Sequence, residues 1–153
     1  MVDYKLLNQE AKSLLSDINY EISLLANASS LLNMHLKNIN WVGFYLYKNN
    51  ELILGPFQGL VACTNIALGK GVCGFSALKK ESVVVKNVHE FPGHIACDAN
   101  SNSEIVIPII VNNKLYGVLD IDSYLLDNFN EYDKTNLEEF VSILSEMLES
   151  LTN

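Results

Sequence analysis

With 153 residues, 49% of them hydrophobic, the chain has the size of one domain and enough apolar side chains for a substantial core. Its 10 basic and 18 acidic side chains give a formal charge of -8, which would repel phosphates and argues against a nucleic-acid partner. No stretch approaches the roughly 18 apolar residues of a membrane span, and the amino terminus lacks a basic leader followed by an apolar run, so we expect a cytoplasmic protein without a membrane partner.

The amino-terminal region shows the periodicity of helices. Apolar side chains between Asp3 and His35 recur at helical spacing, which predicts amphipathic helix in two pieces. We expect Ser16 and Asp17 to cap the second piece, and Asn27–Ser30 to interrupt it. The apolar positions are Leu7, Ala11, Leu14, Leu15, Ile18, Ile22 and Leu25.

Two pairs of apolar runs predict β-hairpins. The first, NWVGFYLYKNNELILGPF, is aromatic and β-branched on both sides of Asn49–Asn50, and we expect it to close near Gly55 and Pro56. In the second, SEIVIPIIVNNKLYGVLDIDS, the two runs meet at Asn112–Asn113. Paired asparagines between β-prone runs are a strong local signal for a tight turn.

The remaining segments complete an α+β pattern. The glycine-rich residues 57–77 should lead into a short helix completed by ALKK, followed by the short strand SVVVKNV; a final amphipathic helix starts near 130–134. This order predicts a single domain in which a central antiparallel sheet of about six strands is flanked by amino-terminal and carboxy-terminal helices. Within residues 1–153 we expect a helical region at 1–36, the sheet and active-site loops at 40–125, and the last helix at 130–152.

The cysteines are the first candidates for chemistry. Cys63, Cys73 and Cys97 lie near turn-forming residues, which predicts accessible loop thiols. In a reducing compartment an odd number of cysteines is poorly explained by permanent disulfides. Three interpretations stay open: incidental thiols, a metal site completed by His94, or a thiolate that is oxidised to sulfenic acid and then forms a disulfide.

Acidic and aromatic side chains of the predicted strands form the second group of candidates. Asp120 and Asp122 alternate with apolar residues in LDID, so a strand would point both carboxylates to one face, where Glu104 could join them. Such a cluster could bind an ammonium group, or keep one carboxyl protonated as a hydrogen-bond donor. Trp41 and Tyr45 also share a face and could line a small apolar pocket. The alternatives are strand-end acids that face water and aromatic side chains that pack in the core.

These residues occur in motifs that resemble those of the free methionine-R-sulfoxide reductases, a single-domain family with the GAF fold. The resemblance runs from about Asn40 to the last helix. Its motifs are NWVGFYL, GPFQGLVACTNI, GKGVCG, HIACDANSNSEIVIP and GVLDIDS. The cysteine spacing, together with SEIV and LDID, distinguishes this family from a generic GAF domain.

For the cysteines, the resemblance implies a catalytic cycle. Cys97 matches the catalytic thiol, which would attack the sulfur of free methionine (R)-S-oxide and become a sulfenic acid. Cys73 or Cys63 would then form an intramolecular disulfide with it, and a thioredoxin-like donor would reduce that disulfide. The reaction implied in this way requires no metal and no organic cofactor.

For the pocket, the resemblance implies a binding mode. The substrate ammonium would lie near Glu104, Asp120 and Asp122, and a carboxyl among them would protonate or hydrogen-bond the sulfoxide oxygen. The substrate methyl group would lie against Trp41, in an aromatic wall shared with Tyr45. The turn-rich loop at 92–103 is expected to act as a lid.

Two other functions fit parts of the sequence. One is a GAF-type sensor that binds a small ligand without catalysis, and the other is a thiol redox switch without turnover. The oligomeric state also stays open, because the apolar faces of the terminal helices could form a homodimer or pack on their own sheet.

Overall fold

The computed structural model describes residues 1–94 and 99–152 of the chain. Within these residues one six-stranded sheet has the order β3-β2-β1-β6-β5-β4, and each neighbouring pair is antiparallel. The predicted α+β class is confirmed. The strands are β1 (Ile39–Lys48), β2 (Glu51–Gly59), β3 (Asn65–Ala67), β4 (Val83–Val85), β5 (Ser103–Val111) and β6 (Lys114–Ser123). The helices are α1 (Tyr4–Leu14), α2 (Glu21–His35), α3 (Gly71–Lys79) and α4 (Glu131–Leu151), with a 3-10 turn at Val88–Glu90.

Paired asparagines make the tight turns of both predicted hairpins. Asn49–Asn50 joins β1 to β2 with φ angles of 52° and 63°, and Asn112–Asn113 joins β5 to β6 with φ angles of 52° and 64°. Asparagine tolerates this left-handed conformation better than most residues, and tight hairpin turns favour it for that reason. Both hairpins are confirmed, although β2 continues to Gly59 instead of closing near Gly55 and Pro56.

The sheet has two unlike faces, because successive side chains of a strand point to opposite sides. The larger apolar cluster lies on the face covered by the terminal helices, where Phe44, Ile105 and Leu119 meet Phe140 of α4. The other face is covered by α3, which packs on β5 and β6. A smaller cluster around Val106 lies there, beside the functional candidates described below.

The last helix begins where the sequence predicts. Asn130 caps α4 by accepting a hydrogen bond from the Asp133 backbone N–H at 3.0 Å, and the Asp133 carboxylate accepts one from the Asn130 N–H at 2.9 Å. This reciprocal capping box satisfies donors that a helix start leaves free. The apolar face of α4, including Leu137 and Leu144, is buried in the larger cluster, so the chain's own sheet covers it. A homodimer stays a prediction.

Two details predicted for the amino-terminal helices are wrong. The second helix begins at Glu21 after Tyr20, which makes no side-chain capping bond, so Ser16 and Asp17 do not cap it. It also runs without interruption through Asn27–Ser30. Ser29 is accommodated because its hydroxyl donates to the Leu25 carbonyl at 2.9 Å, which satisfies a buried polar group inside the helix.

The sequence patterns did not predict one of the strands, β3. β3 is a short edge strand paired with β2, and it lies inside the glycine-rich segment, where a run of Asn65–Ala67 is too short to show alternation. Among the described residues, no helix combines the length and the apolar character needed to cross a bilayer.

Candidate active site

A pocket opens on the sheet face that carries α3. It is a narrow pocket whose lining combines acidic, aromatic and small side chains. β1, β5, β6 and α3 supply much of its wall. The sequence-predicted residues that line it are Trp41, Tyr45, Cys73, Glu104, Asp120 and Asp122; among the others are Ala62, His94 and Ser101.

The register of two strands brings the carboxylates together. Glu104 of β5 lies directly opposite Asp122 of β6, and Val106 lies opposite Asp120. Because residues two apart on a strand share a face, both aspartates point toward the pocket side, as their alternation predicts. Glu104 and Asp120 are buried, whereas Asp122 is partly exposed.

Burial and mutual repulsion change the protonation of this acidic cluster. Burial raises the pKa of Glu104 well above 4.5, and the neighbouring Asp120 and Asp122 raise it further. Burial also raises the pKa of Asp120. The Oδ1 atom of Asp120 has no hydrogen-bond partner among the described residues. The cluster therefore favours either a retained proton or a bound cation, since both relieve the cost of buried negative charge.

The structure corrects the prediction that Cys73 is an accessible loop thiol. Cys73 lies in the first turn of α3 and is 4% exposed. Its Sγ donates a weak hydrogen bond to Oε2 of Glu104 at 3.9 Å. Burial raises the pKa of this thiol, and the nearby Asp120 and Glu104 raise it further. Cys73 is therefore held as a neutral thiol, which is a poor nucleophile.

The other two cysteines differ from Cys73. Cys63 is half-buried in the irregular segment between β2 and β3 and is disulfide-bonded. Tyr45 anchors this segment to the pocket wall, since its hydroxyl donates to the Cys63 carbonyl oxygen at 2.9 Å. Cys97 lies outside the described residues. In the sequence it falls between His94 and Ser101, and both of these line the pocket.

The metal-binding alternative considered from the sequence does not fit this arrangement. It required Cys63, Cys73, His94 and Cys97 to act as ligands together, but a disulfide-bonded Cys63 has no thiolate to offer. In the described part of the chain, the group whose ligand atoms lie close enough to hold a metal ion is instead Cys73, Glu104 and Asp120.

An aromatic stack forms one wall of the pocket. The Trp41 ring stacks on Tyr45 at a centroid distance of 5.8 Å and on Phe57 at 5.0 Å. Its indole N–H donates to the Leu60 carbonyl oxygen at 3.2 Å, which fixes the ring. Gly59 is required beside it, because a Cβ there would lie 2.5 Å from Trp41 Cδ1. Sequence reasoning missed Phe57, because a bulge between Gly43 and Tyr45 shifts the hairpin register by one residue and places Phe57 opposite Gly43.

Two further polar residues complete the lining. His94 approaches Glu104, with 3.9 Å between Nε2 and Oε1. Burial and His89 lower the pKa of His94, and Asp120 partly opposes them, so the imidazole is largely neutral at pH 7. Ser101 is buried, and its hydroxyl accepts a hydrogen bond from the side-chain amide of Asn40 at 3.1 Å. No sequence signal marks Ser101 beyond its place in a turn-rich segment.

The chain matches the GAF domain family over residues 20–149. It is 45% identical over 145 residues to the free methionine-R-sulfoxide reductase of Escherichia coli (strain K12), covering 95% of this chain and 88% of the relative. The structure of fRMsr of Staphylococcus aureus in its reduced form has a TM-score of 0.94 and 53% identity, covering 97% of this chain and 96% of that one. The free methionine-R-sulfoxide reductase from Neisseria meningitidis, in complex with its substrate, has a TM-score of 0.94 and 40% identity, covering 97% and 90%.

The antiparallel sheet and its helices are those of a GAF domain. At this level of identity and coverage, the chain belongs to the free methionine-R-sulfoxide reductase family of GAF domains. The family resemblance carried by the sequence motifs is thus confirmed.

Proposed function

We propose that this protein is an enzyme that reduces free L-methionine (R)-S-oxide to L-methionine, with Cys97 as the nucleophile. One observation carries the proposal: a small pocket joins a buried acidic cluster to an aromatic wall. The acids would bind the ammonium group of a free amino acid, and the rings would accept its methyl group. The relatives from Escherichia coli and Neisseria meningitidis are named for this activity.

Binding uses the charge of the cluster. Asp120 Oδ1 is buried without a partner among the described residues, and a substrate ammonium would supply the missing hydrogen bond together with an opposite charge. Asp122, which is only partly buried, would share that ammonium. A methionine sulfoxide inside a peptide lacks the free ammonium group, so the same contacts select for the free amino acid.

The reaction needs a proton and a thiolate. Glu104, whose pKa is raised by burial and by the neighbouring aspartates, would keep a proton near neutral pH and donate it to the sulfoxide oxygen. The Cys97 thiolate then attacks the sulfoxide sulfur. The attack forms a transient bond between the two sulfurs. The protonated oxygen then moves to the Cys97 sulfur while the S–O bond of the substrate and the transient S–S bond break, so methionine leaves as the thioether, Cys97 becomes a sulfenic acid, and the substrate gains the two electrons that Cys97 loses.

Recycling requires a second thiol. We place Cys63 in this role in preference to Cys73, because Cys63 is disulfide-bonded whereas Cys73 is free and buried. The Cys63 thiol attacks the sulfenic acid, water leaves, and a disulfide between Cys63 and Cys97 forms. A thioredoxin-like dithiol then reduces this disulfide and becomes a disulfide itself. We therefore also propose a reducing compartment, the cytoplasm, as the location of the enzyme, because such donors keep thiols reduced there.

The test is a substrate panel with a thioredoxin system. Wild-type protein should reduce free methionine (R)-S-oxide, and should act much more slowly on the S epimer and on a peptide-bound sulfoxide. Equal use of all three substrates would contradict the assigned specificity. Cys97→Ser should lose turnover while keeping its thermal transition, and full activity in that variant would refute the choice of nucleophile.

The same panel separates the two rival functions. A non-catalytic sensor would bind the free sulfoxide in calorimetry without converting it. A redox switch would form its disulfide with peroxide but would show no preference between the sulfoxide epimers. Steady conversion of the R epimer alone supports the reductase against both.

A further inference from the structure

We propose that Cys73, Glu104 and Asp120 form a binding site for Zn²⁺, and that the bound ion reversibly blocks the pocket. The site uses a thiol that the proposed catalytic cycle leaves free. Metal binding stands on the geometry of these side chains, whereas the inhibition rests on the function proposed above.

The ligand atoms are close to the spacing that zinc requires. One thiol sulfur and one carboxylate oxygen from each acid all lie within 4.8 Å of one another. The Cys73 Sγ and the Glu104 Oε2 are 3.9 Å apart. In a tetrahedral site, Zn–S and Zn–O bonds of about 2.3 and 2.1 Å put sulfur and oxygen roughly 3.5 Å apart. The Cys73–Glu104 pair would therefore close by a few tenths of an ångström, and a pair at the 4.8 Å limit would close by about 1.3 Å.

The three ligands come from separate, well-packed elements. Cys73 belongs to α3, Glu104 to β5 and Asp120 to β6, and the exposed fractions of these residues are 4%, 6% and 5%. Ligands held on a helix and two paired strands lose little freedom when an ion binds. All three residues line the pocket, so a pocket water would complete the coordination, as in zinc sites that keep one open position.

An unsatisfied atom independently points to a cation. Asp120 Oδ1 is buried and has no hydrogen-bond partner among the described residues. A buried carboxylate oxygen without a donor is costly, and a divalent cation would satisfy it and neutralise the neighbouring acid at the same time. Zn²⁺ would displace the protons of the Cys73 thiol and of Glu104 into water, and the resulting set of one thiolate and two carboxylates favours zinc over magnesium or calcium, which prefer oxygen ligands alone.

Occupancy of this site is incompatible with the proposed catalysis. Glu104 would lose the proton that it donates to the sulfoxide, and Asp120 would no longer meet the substrate ammonium. Zn²⁺ and the free sulfoxide should therefore exclude each other. Cys73 lies outside the proposed recycling disulfide, so the site would remain available in both redox states of Cys63.

Binding can be tested without turnover by using Co²⁺ as a spectroscopic probe. In reduced Cys97→Ser protein, Co²⁺ should produce the near-ultraviolet absorbance of a thiolate–cobalt bond, and added Zn²⁺ should abolish it. A further Cys63→Ser change should leave the band intact, whereas Cys73→Ser should remove it. A band that survives Cys73→Ser, or a complete lack of the band in the parent variant, would overturn the proposal.

A second variant and a turnover assay distinguish this proposal from the proposed function. Asp120→Asn, with its fold checked by circular dichroism, should weaken Zn²⁺ binding on the order of 10–100-fold or more; unchanged affinity would remove Asp120 from the site and overturn the assignment. In wild-type enzyme, Zn²⁺ should inhibit competitively with the sulfoxide, and chelation should restore the rate. If cobalt binds through Cys73 but no sulfoxide is ever reduced, the metal site stands and the reductase function fails.

Discussion

Glu104→Gln tests the charge of the buried cluster while preserving its shape. Glu104 is 6% exposed, and burial raises its pKa well above 4.5, with further contributions from Asp120 and Asp122. The folded protein therefore holds this proton more tightly than the unfolded chain does. The corresponding stability is complete below about pH 4.5 and is lost as the pH rises through the folded-state pKa. Glu104→Gln cannot titrate at this position, so its stability should not show this decrease with rising pH.

The structure sets the scale of the effect. Ligand oxygens of Glu104 and Asp120 lie within 4.8 Å of each other, and two full charges at about that distance repel by roughly 3.5 kcal/mol at an effective dielectric constant near 20. In the wild type a retained proton avoids much of this repulsion, but keeping it above pH 4.5 costs about 1.4 kcal/mol of folding free energy per pH unit, a cost that glutamine does not carry. We therefore expect Glu104→Gln to raise the free energy of unfolding at neutral pH by about 1–3 kcal/mol, and Tm by roughly 2–10 °C.

Thermal unfolding of both proteins between about pH 5 and pH 8 measures this difference, since the unfolded chain loses the Glu104 proton near pH 4.5 whereas burial raises the pKa of that carboxyl in the folded protein. Glu90→Gln is the matched control, because it removes the same charge from an exposed position. The expected increase in stability of Glu104→Gln comes with a decrease in kcat/KM of about 10²–10⁴-fold if Glu104 is the proton donor. The reasoning fails if Glu104→Gln keeps the wild-type pH slope of stability, or if it retains near wild-type turnover.

Further predictions concern recycling, the aromatic wall and packing. With thioredoxin as the donor, Cys63→Ser should complete one turnover and then stop. Cys73→Ser should still form the recycling disulfide, which a count of free thiols measures. The reverse pattern would exchange the roles of the two cysteines. Trp41→Ala should raise KM about tenfold for each 1.4 kcal/mol of substrate-binding free energy that the indole ring contributes. An unchanged KM in steady-state kinetics would remove Trp41 from the binding site. Gly117→Ala should lower the free energy of unfolding, measured by urea titration, by about 1–3 kcal/mol or more, because the new Cβ would lie 2.2 Å from the Tyr45 carbonyl oxygen. Gly55→Ala is the control and should lower it less, because its Cβ would lie 3.2 Å from the nearest atom.

Much of the sheet could be predicted because its signals are local. Asn49–Asn50 and Asn112–Asn113 adopt the left-handed conformation that tight hairpins favour. The alternation in LDID puts Asp120 and Asp122 on one face of any strand that contains them. The capping residues around Asn130 likewise mark the start of α4 by hydrogen bonds within a few residues.

Other features depend on contacts between distant parts of the chain. The start of α2 and its continuity through Ser29 contradict local capping and turn signals, because packing against the sheet outweighs those weak preferences. β3 exists only because β2 offers it an edge to pair with. Neither result follows from residue spacing alone.

The sequence by itself determined which chemistry is available: the thiols, the acids and the aromatic residues occur in motifs that point to one enzyme family. The tertiary structure decided how these groups differ from one another. Cys63 and Cys73 look alike in glycine-rich surroundings, yet one is disulfide-bonded and half-buried while the other is a buried neutral thiol against Glu104. The physical reason is that reactivity and pKa depend on burial and on nearby charges, and β5, β6 and α3 bring those charges together only when the sheet forms.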